Sequence, residues 1–150
     1  YGNHRLQNYE TICGGTGAGP DHDGTSAVQS HMTNTRMTDP EVLEWRFPVR
    51  VESFSIRKGS GGNGRYRGGD GAVRRLRFLE PMTVTILSSH RDTDPYGLEG
   101  GQAGMRGLNY VLRTDGTREN LSGNAEAQMD RDDQCVIETP GGGGFGLSDE

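Results

Sequence analysis

The chain has 150 residues, of which 25 are glycine, 30% are hydrophobic and 25% are charged, and its formal net charge at pH 7 is −5. This length suits one compact domain with a buried core, and no apolar run reaches the length of a membrane helix. The acidic total and the lack of regularly spaced aromatic residues argue against nucleic-acid binding. We therefore expect a folded cytoplasmic protein that binds neither nucleic acid nor a membrane.

Residues 1–38 show no hydrophobic period, which indicates a loop-rich segment. This segment contains the first of four glycine clusters, which lie at residues 14–19, 59–71, 97–107 and 141–146. Glycine permits tight turns, close approach of another backbone, and nests of amides that bind anions. For the first cluster, both a connecting loop and an anion-binding nest remain open.

A short helix is predicted near residues 40–46. Asp39 is a favourable N-cap, Pro40 suits the first helical position, and Glu41 places an acid in the first turn. Pro48 disfavours helical geometry in the residue before it, so the helix must end there.

Alternating and β-branched residues predict strands from residue 49 onward. The predicted strands cover residues 49–56, 72–79, 83–87, 108–113, 125–129 and 135–139. They recur about every ten residues, with Gly, Pro and Asp between them, so we predict a mainly β fold with a sandwich-like or barrel-like antiparallel sheet. Residues 1–48 form the loop-rich segment with the short helix, and residues 49–150 form the β-rich domain.

The polar segment Ser30-His31-Met32-Thr33-Asn34-Thr35-Arg36 has six hydrogen-bonding side chains in seven residues. These side chains either line a polar pocket or cap neighbouring backbone in an ordinary loop. The residues alone favour neither interpretation.

Three other features do not support a nucleotide site, a metal site or a disulfide. Residues 59–64 match the dinucleotide fingerprint GxGxxG, but the sequence after them does not start a helix. His22 and His31 lack a spacing that would place them on one helical face with other ligands, and Cys13 lies 122 positions from Cys135. We predict no metal site and no disulfide framework.

Taken together and in order, several motifs resemble the C-terminal end of the hydantoinase B family, and within it the chain is most similar to the ATP-dependent 5-oxoprolinases. The motifs are Tyr9-Glu10-Thr11, residues 14–20, residues 30–36 with 38–41, residues 59–64 with 67–71, and Thr139 to Gly146. The resemblance implies an enzyme that uses ATP and water to open the lactam of 5-oxo-L-proline, giving L-glutamate, ADP and phosphate. In it, a hydantoinase A-like half phosphorylates the ring carbonyl and the B-like half carries out hydrolysis.

The resemblance also implies the cofactors, partners and site. ATP and Mg²⁺, and a divalent metal if one takes part, bind in regions outside this chain, and no cofactor is expected here. The expected partners are a hydantoinase A-like half or subunit and a small cyclic amide, in an oligomeric parent enzyme. His31 is the candidate acid or base. The candidate substrate-binding or anion-binding residues are Gly14, Gly15, Gly17, Gly19, Asn34, Thr35, Arg36, Gly141, Gly142 and Gly143.

The chain is accordingly expected to be a C-terminal fragment that is inactive alone. Two alternatives stay open: a hydantoinase or acetone carboxylase-type subunit, and a non-catalytic β-domain that holds an assembly together.

Overall fold

The computed structural model describes residues 1–31 and 33–148. In that part of the chain the elements are α1 (Pro40–Arg46), β1 (Val49–Arg57), β2 (Gly71–Phe78), β3 (Met82–Leu87), β4 (Leu108–Leu112), β5 (Arg118–Leu121), β6 (Asn124–Met129) and β7 (Gln134–Glu138). Every strand pair is antiparallel. The prediction of a mainly β protein with one short helix is therefore confirmed.

The helix α1 begins and ends for the reasons that the sequence suggested. The Asp39 carboxylate accepts a hydrogen bond from the Glu41 N–H at 2.9 Å, which satisfies one of the free donors of the first turn. Phe47, which precedes Pro48, is extended and closes the helix. Leu43 is the helix residue that is fully buried in the core. Among the described residues, no helix is both long and apolar enough to cross a membrane.

The strands form two sheets that pack face to face. Five strands lie in the order β1-β2-β7-β4-β5, and β3 pairs with β6 in a second sheet. Because side chains alternate along a strand, Leu76 and Phe78 of β2 point toward β3 and β6, together with Cys135 of β7. Val84 and Met129 of the second sheet meet them and complete the core.

Strand β5 is absent from the predicted strands because its sequence carries no strand pattern. Its residues Arg-Glu-Asn-Leu are almost all exposed, since β5 is an edge strand beside β4. The tight connection from β4 to β5 passes through Gly116, which adopts a positive φ of 86°.

The glycine clusters pack against one another as a single layer of extended backbone. We call this the glycine layer and define it as residues 14–24, 61–71, 97–107 and 141–146. Its last segment bonds to the others: the Gly142 N–H donates to the Gly69 carbonyl at 2.8 Å, and the Gly62 N–H donates to the Gly142 carbonyl at 2.8 Å. The Gly144 N–H donates to the Gln102 carbonyl at 2.9 Å.

Close approach, rather than unusual dihedral angles, explains most of these glycines. A Cβ on Gly142 would overlap the Thr16 carbonyl, and a Cβ on Gly68 would overlap the Gly142 carbonyl. Among the glycines of the layer, positive φ values occur at Gly100 and Gly146. The clusters therefore build a core from backbone, and turns account for only a few of their members.

Candidate functional site

A polar pocket of about 380 Å³ lies between two extended segments, one near the N-terminus and one before α1. It is lined by Tyr9, Glu10, Thr11, Thr33, Thr35, Arg36, Met37 and Thr38. Its walls offer one carboxylate, one guanidinium and several hydroxyl groups, a mixture that can hold a small polar or charged molecule. We take this polar pocket as the candidate functional site.

Local hydrogen bonds hold both walls. The Thr11 carbonyl accepts a bond from the Gln29 side-chain amide at 2.8 Å. On the other wall, the Thr33 hydroxyl accepts from the Thr35 N–H at 3.1 Å, which folds the chain into a local turn before the Asp39 cap.

A buried ion pair fixes the side chain of Glu10, which lines the polar pocket, to Arg74, which lines a larger neighbouring cleft. Glu10 accepts two hydrogen bonds from Arg74 of β2, at 2.8 and 2.9 Å, and the Arg74 side chain is only 2% exposed. Arg74 also lies over the Phe54 ring, with 5.5 Å between the guanidinium carbon and the ring centroid. The two-point geometry orients the carboxylate rigidly. Sequence reasoning missed this pair, although an arginine at a core-facing position of an alternating strand was a usable signal.

On the other side of Glu10 lies a larger cleft of about 650 Å³ between the two sheets. Its floor is the inner face of the five-stranded sheet, including Leu76, Cys135 and Ile137, and its walls are residues 8–12 with Gly14 and residues 84–89. Burial raises the pKa of the Cys135 thiol to about 12, so this group stays neutral. The cleft is largely apolar.

Arg91 closes one end of the cleft. Its guanidinium donates to the Asn109 side-chain oxygen at 2.9 and 3.2 Å and to the Ser89 carbonyl at 2.7 Å. Burial, with a smaller effect from the nearby Arg57, lowers the pKa of Arg91 to about 10, so the group remains a cation at neutral pH.

The structure brings together part of the polar segment predicted from sequence. Thr35 and Arg36 line the polar pocket. Asn34 and His31 do not line it, and His31 is exposed with its Nδ1 at 2.7 Å from the Ser30 hydroxyl. Met32 of the same segment lies outside the described residues.

For four of the candidate substrate-binding or anion-binding glycines, the backbone amide is already bonded within the chain. The amides of Gly15, Gly19, Gly141 and Gly142 donate to carbonyl oxygens of the chain itself, at 2.8 to 3.2 Å. These donors stabilise the glycine layer and are not available to an anion. The candidates Gly17 and Gly143 also lie in this layer, with the Gly143 carbonyl accepting from Ala18, and Gly14 lines the larger cleft rather than the polar pocket.

Residues 59–64 do not form a dinucleotide-binding loop. Residues 59–64 lead through residues 65–70 into β2, and phosphate loops need a helix start at that point. The Gly61 amide donates to the Asp70 carboxylate at 2.8 Å, and the Gly62 amide is also bonded. Within residues 1–31 and 33–148, no three His, Cys, Asp or Glu side chains cluster in a way that would hold a metal ion.

Solved structures share this fold. The ATP-dependent caprolactamase from Pseudomonas jessenii matches 90% of this chain with a TM-score of 0.78 and 25% identity, and the match spans 24% of that chain. A nucleotide-free acetone carboxylase structure matches 89% of this chain with a TM-score of 0.71 and 21% identity, over 22% of that chain. The second likeness concerns the fold alone.

Sequence comparison identifies the family. The hydantoinase B/oxoprolinase family matches residues 1–148, and the chain belongs to this family. The 5-oxoprolinase of Dictyostelium discoideum is 52% identical over 149 residues, which are 99% of this chain and 12% of that protein. The chain therefore spans a small part of the relatives that it matches, and the resemblance inferred from the motifs is confirmed.

Proposed function

We propose that the complete protein is an ATP-dependent hydrolase of cyclic amides, which converts 5-oxo-L-proline, ATP and water to L-glutamate, ADP and phosphate. The 150 residues form the C-terminal part of its hydrolytic half and are inactive alone. The observation that carries this proposal is the 52% identity to a 5-oxoprolinase over 99% of the chain. As the family resemblance implies, ATP and Mg²⁺ bind in a hydantoinase A-like partner half.

The chemistry needs both charge recognition and proton transfer. A lactam is a poor electrophile, and ATP supplies a phosphoryl group that makes its oxygen a leaving group. Water then needs a base, and the developing anion needs hydrogen-bond donors. This chain supplies the polar pocket, where Arg36 binds the substrate carboxylate through its planar guanidinium and the threonine hydroxyls orient the ring.

The reaction is tested with the full-length protein and four candidate substrates: 5-oxoproline, hydantoin, caprolactam, and acetone with bicarbonate. We expect 5-oxoproline to stimulate phosphate release most, with matching glutamate. Stimulation by hydantoin or by acetone with bicarbonate would instead indicate one of those activities. No stimulation by any of the four substrates would favour the alternative of a non-catalytic β-domain that holds an assembly together.

The role of Arg36 is tested by comparing two substrates that differ in one group. Arg36→Ala should raise the KM for 5-oxoproline by about tenfold or more, since one charge-assisted pair is lost, and should leave the KM for 2-pyrrolidinone, the same ring without its carboxylate, unchanged. Arg131→Ala, at a side chain that is 76% exposed, is the matched control. Equal effects on both substrates would remove Arg36 from carboxylate recognition.

We also propose His31 as the acid or base, because it is a titratable group next to the pocket segment. His31→Ala should lower kcat by about 100-fold or more if it transfers a proton. His4→Ala, at another exposed histidine, should have no effect. Intact glutamate formation by His31→Ala would end this assignment.

A further inference from the structure

The outer edge of β3 has backbone groups that point into the larger cleft. Gly2 exchanges two backbone bonds with Thr83, at 2.8 and 2.9 Å, on the side of β3 away from β6. Because bonding direction alternates along an antiparallel strand, Thr85 and Leu87 direct their N–H and C=O groups to the same side. Within the described part of the chain, these four groups have no hydrogen-bond partner.

The opposite wall of the cleft, residues 8–12, also points backbone groups into the cleft. Tyr1 and Asn8 exchange two backbone bonds, at 2.8 and 2.9 Å, so Glu10 and Ile12 present their N–H and C=O groups to the cleft. The intervening Thr11 faces the other way, where its carbonyl accepts from Gln29. The backbone groups of Glu10 and Ile12 also have no hydrogen-bond partner among residues 1–31 and 33–148.

Residues 1 and 2 lie between the two walls and bond to both, Gly2 to Thr83 and Tyr1 to Asn8. They have the position of a short strand between the walls. We propose that the cleft is a slot for one further stretch of this strand, supplied by the residues that directly precede Tyr1 in the complete protein. Two observations favour this occupant over a free peptide: the register is continuous with the Gly2 to Thr83 bridge, and the matched relative is far longer than this chain.

The antiparallel register assigns each position of the occupant. The first and third residues before Tyr1 lie opposite Thr85 and Leu87, and the second and fourth lie opposite Glu10 and Ile12. In this arrangement all eight free backbone groups of the two walls gain partners, which removes the cost of polar groups beside an apolar cleft.

The same register specifies side-chain chemistry. The Tyr1 ring packs on Phe78, with 5.7 Å between ring centroids, so it points to the floor of the cleft. Side chains two and four positions earlier point to the same floor, toward Leu76, Cys135 and Ile137. We expect both positions to be apolar, whereas the first and third residues face outward.

Hydrogen exchange followed by mass spectrometry compares the full-length protein with the 150-residue chain. We expect the amides of Glu10, Ile12, Thr85 and Leu87 to exchange about 100-fold or more slowly in the full-length protein. The Glu126 amide, which lies opposite Thr85 but faces away from β3, is the control and should exchange at the same rate in both.

Three outcomes would overturn the proposal. One is unchanged exchange at the four amides. Another is protection that appears only after 5-oxoproline is added, which would make the cleft a ligand pocket. The last is protection of the 150-residue chain that rises with its own concentration, which would indicate a second copy as the occupant.

A variant pair tests the edge itself in the full-length protein. Thr85→Pro removes an N–H that faces the slot without removing a bond to β6. Glu126→Pro removes an N–H at the opposite edge of the sheet, facing away from the slot, without removing a bond to β3. We expect Thr85→Pro to speed exchange at Glu10 and Ile12 by about tenfold or more, and Glu126→Pro to leave it unchanged. Equal behaviour of the two variants would contradict the slot.

Discussion

Replacing Gly142 by alanine tests whether the glycine layer is a structural core. Its new Cβ would overlap the Thr16 carbonyl, so the segments must separate. This movement weakens two backbone bonds, from the Gly62 N–H to the Gly142 carbonyl and from the Gly142 N–H to the Gly69 carbonyl. Both bonds lie inside the layer, where water cannot easily replace them.

The expected loss of stability follows from three contributions. Overpacking costs roughly 2 kcal/mol, and the two hydrogen bonds contribute about 1 kcal/mol each. The smaller conformational entropy of the unfolded alanine chain offsets about 0.7 kcal/mol. We therefore expect Gly142→Ala to lower the free energy of unfolding by about 3 kcal/mol, a decrease in Tm of about 6–12 °C for a chain of this size.

Gly17→Ala is a matched control within the same layer. The nearest atom to its new Cβ is the Gly143 carbonyl oxygen at 3.8 Å, an ordinary contact, so the free energy of unfolding should change by less than about 0.5 kcal/mol. Urea unfolding is best followed by circular dichroism, because Trp45 is 85% exposed and reports poorly on the core. Equal stability of the Gly142 and Gly17 variants would refute the role of close backbone packing.

Three further perturbations follow from buried groups. Glu10→Gln should lower the free energy of unfolding by about 3–5 kcal/mol, because it leaves Arg74 buried beside a neutral partner, and Glu10→Leu with Arg74→Leu should recover most of it in the same assay. Burial raises the pKa of Asp70, but bonds from the Gly61 amide and neighbouring groups outweigh it and hold the pKa below its usual value. The stability from Asp70 should therefore be complete above about pH 4 and decrease as the pH falls through the folded-state pKa; Asp70→Asn should flatten urea midpoints measured across this range. Cys135 should resist thiol reagents at pH 8 until urea unfolds the chain, whereas labelling of the native protein would contradict its burial.

Local signals were enough to predict most of the elements. Asp39 and Pro48 specify both ends of α1, and alternation between apolar and polar residues marks β2 and β3. Strand β5 was missed because an edge strand with both faces exposed needs no alternation. β5 is defined by its backbone pairing with β4, and a local sequence pattern does not show that pairing.

The glycine layer and the slot depend on contacts between distant parts of the chain. Composition reveals that glycine is abundant, but only the three-dimensional structure shows that Gly68 approaches Gly142 rather than a ligand. Similarly, no local pattern places Thr85 beside Glu10, and their shared cleft exists because two distant segments face each other across a gap.

For the polar pocket, the sequence identified one wall and missed the other. Polar side chains at Thr35 and Arg36 were visible as a local concentration of hydrogen-bonding groups. In the sequence, Glu10 stands out only as part of a family motif. Its orientation depends on Arg74, which is 64 residues away. Long-range ion pairs of this kind require the register of the sheet to be known.

The most direct test of the proposed function is glutamate formation from 5-oxoproline by the full-length protein, measured together with phosphate release from ATP. We predict equal amounts of glutamate and phosphate, neither of them without ATP, and no product from the 150-residue chain alone. Glutamate formation without ATP, or by the isolated chain, would contradict the proposed function.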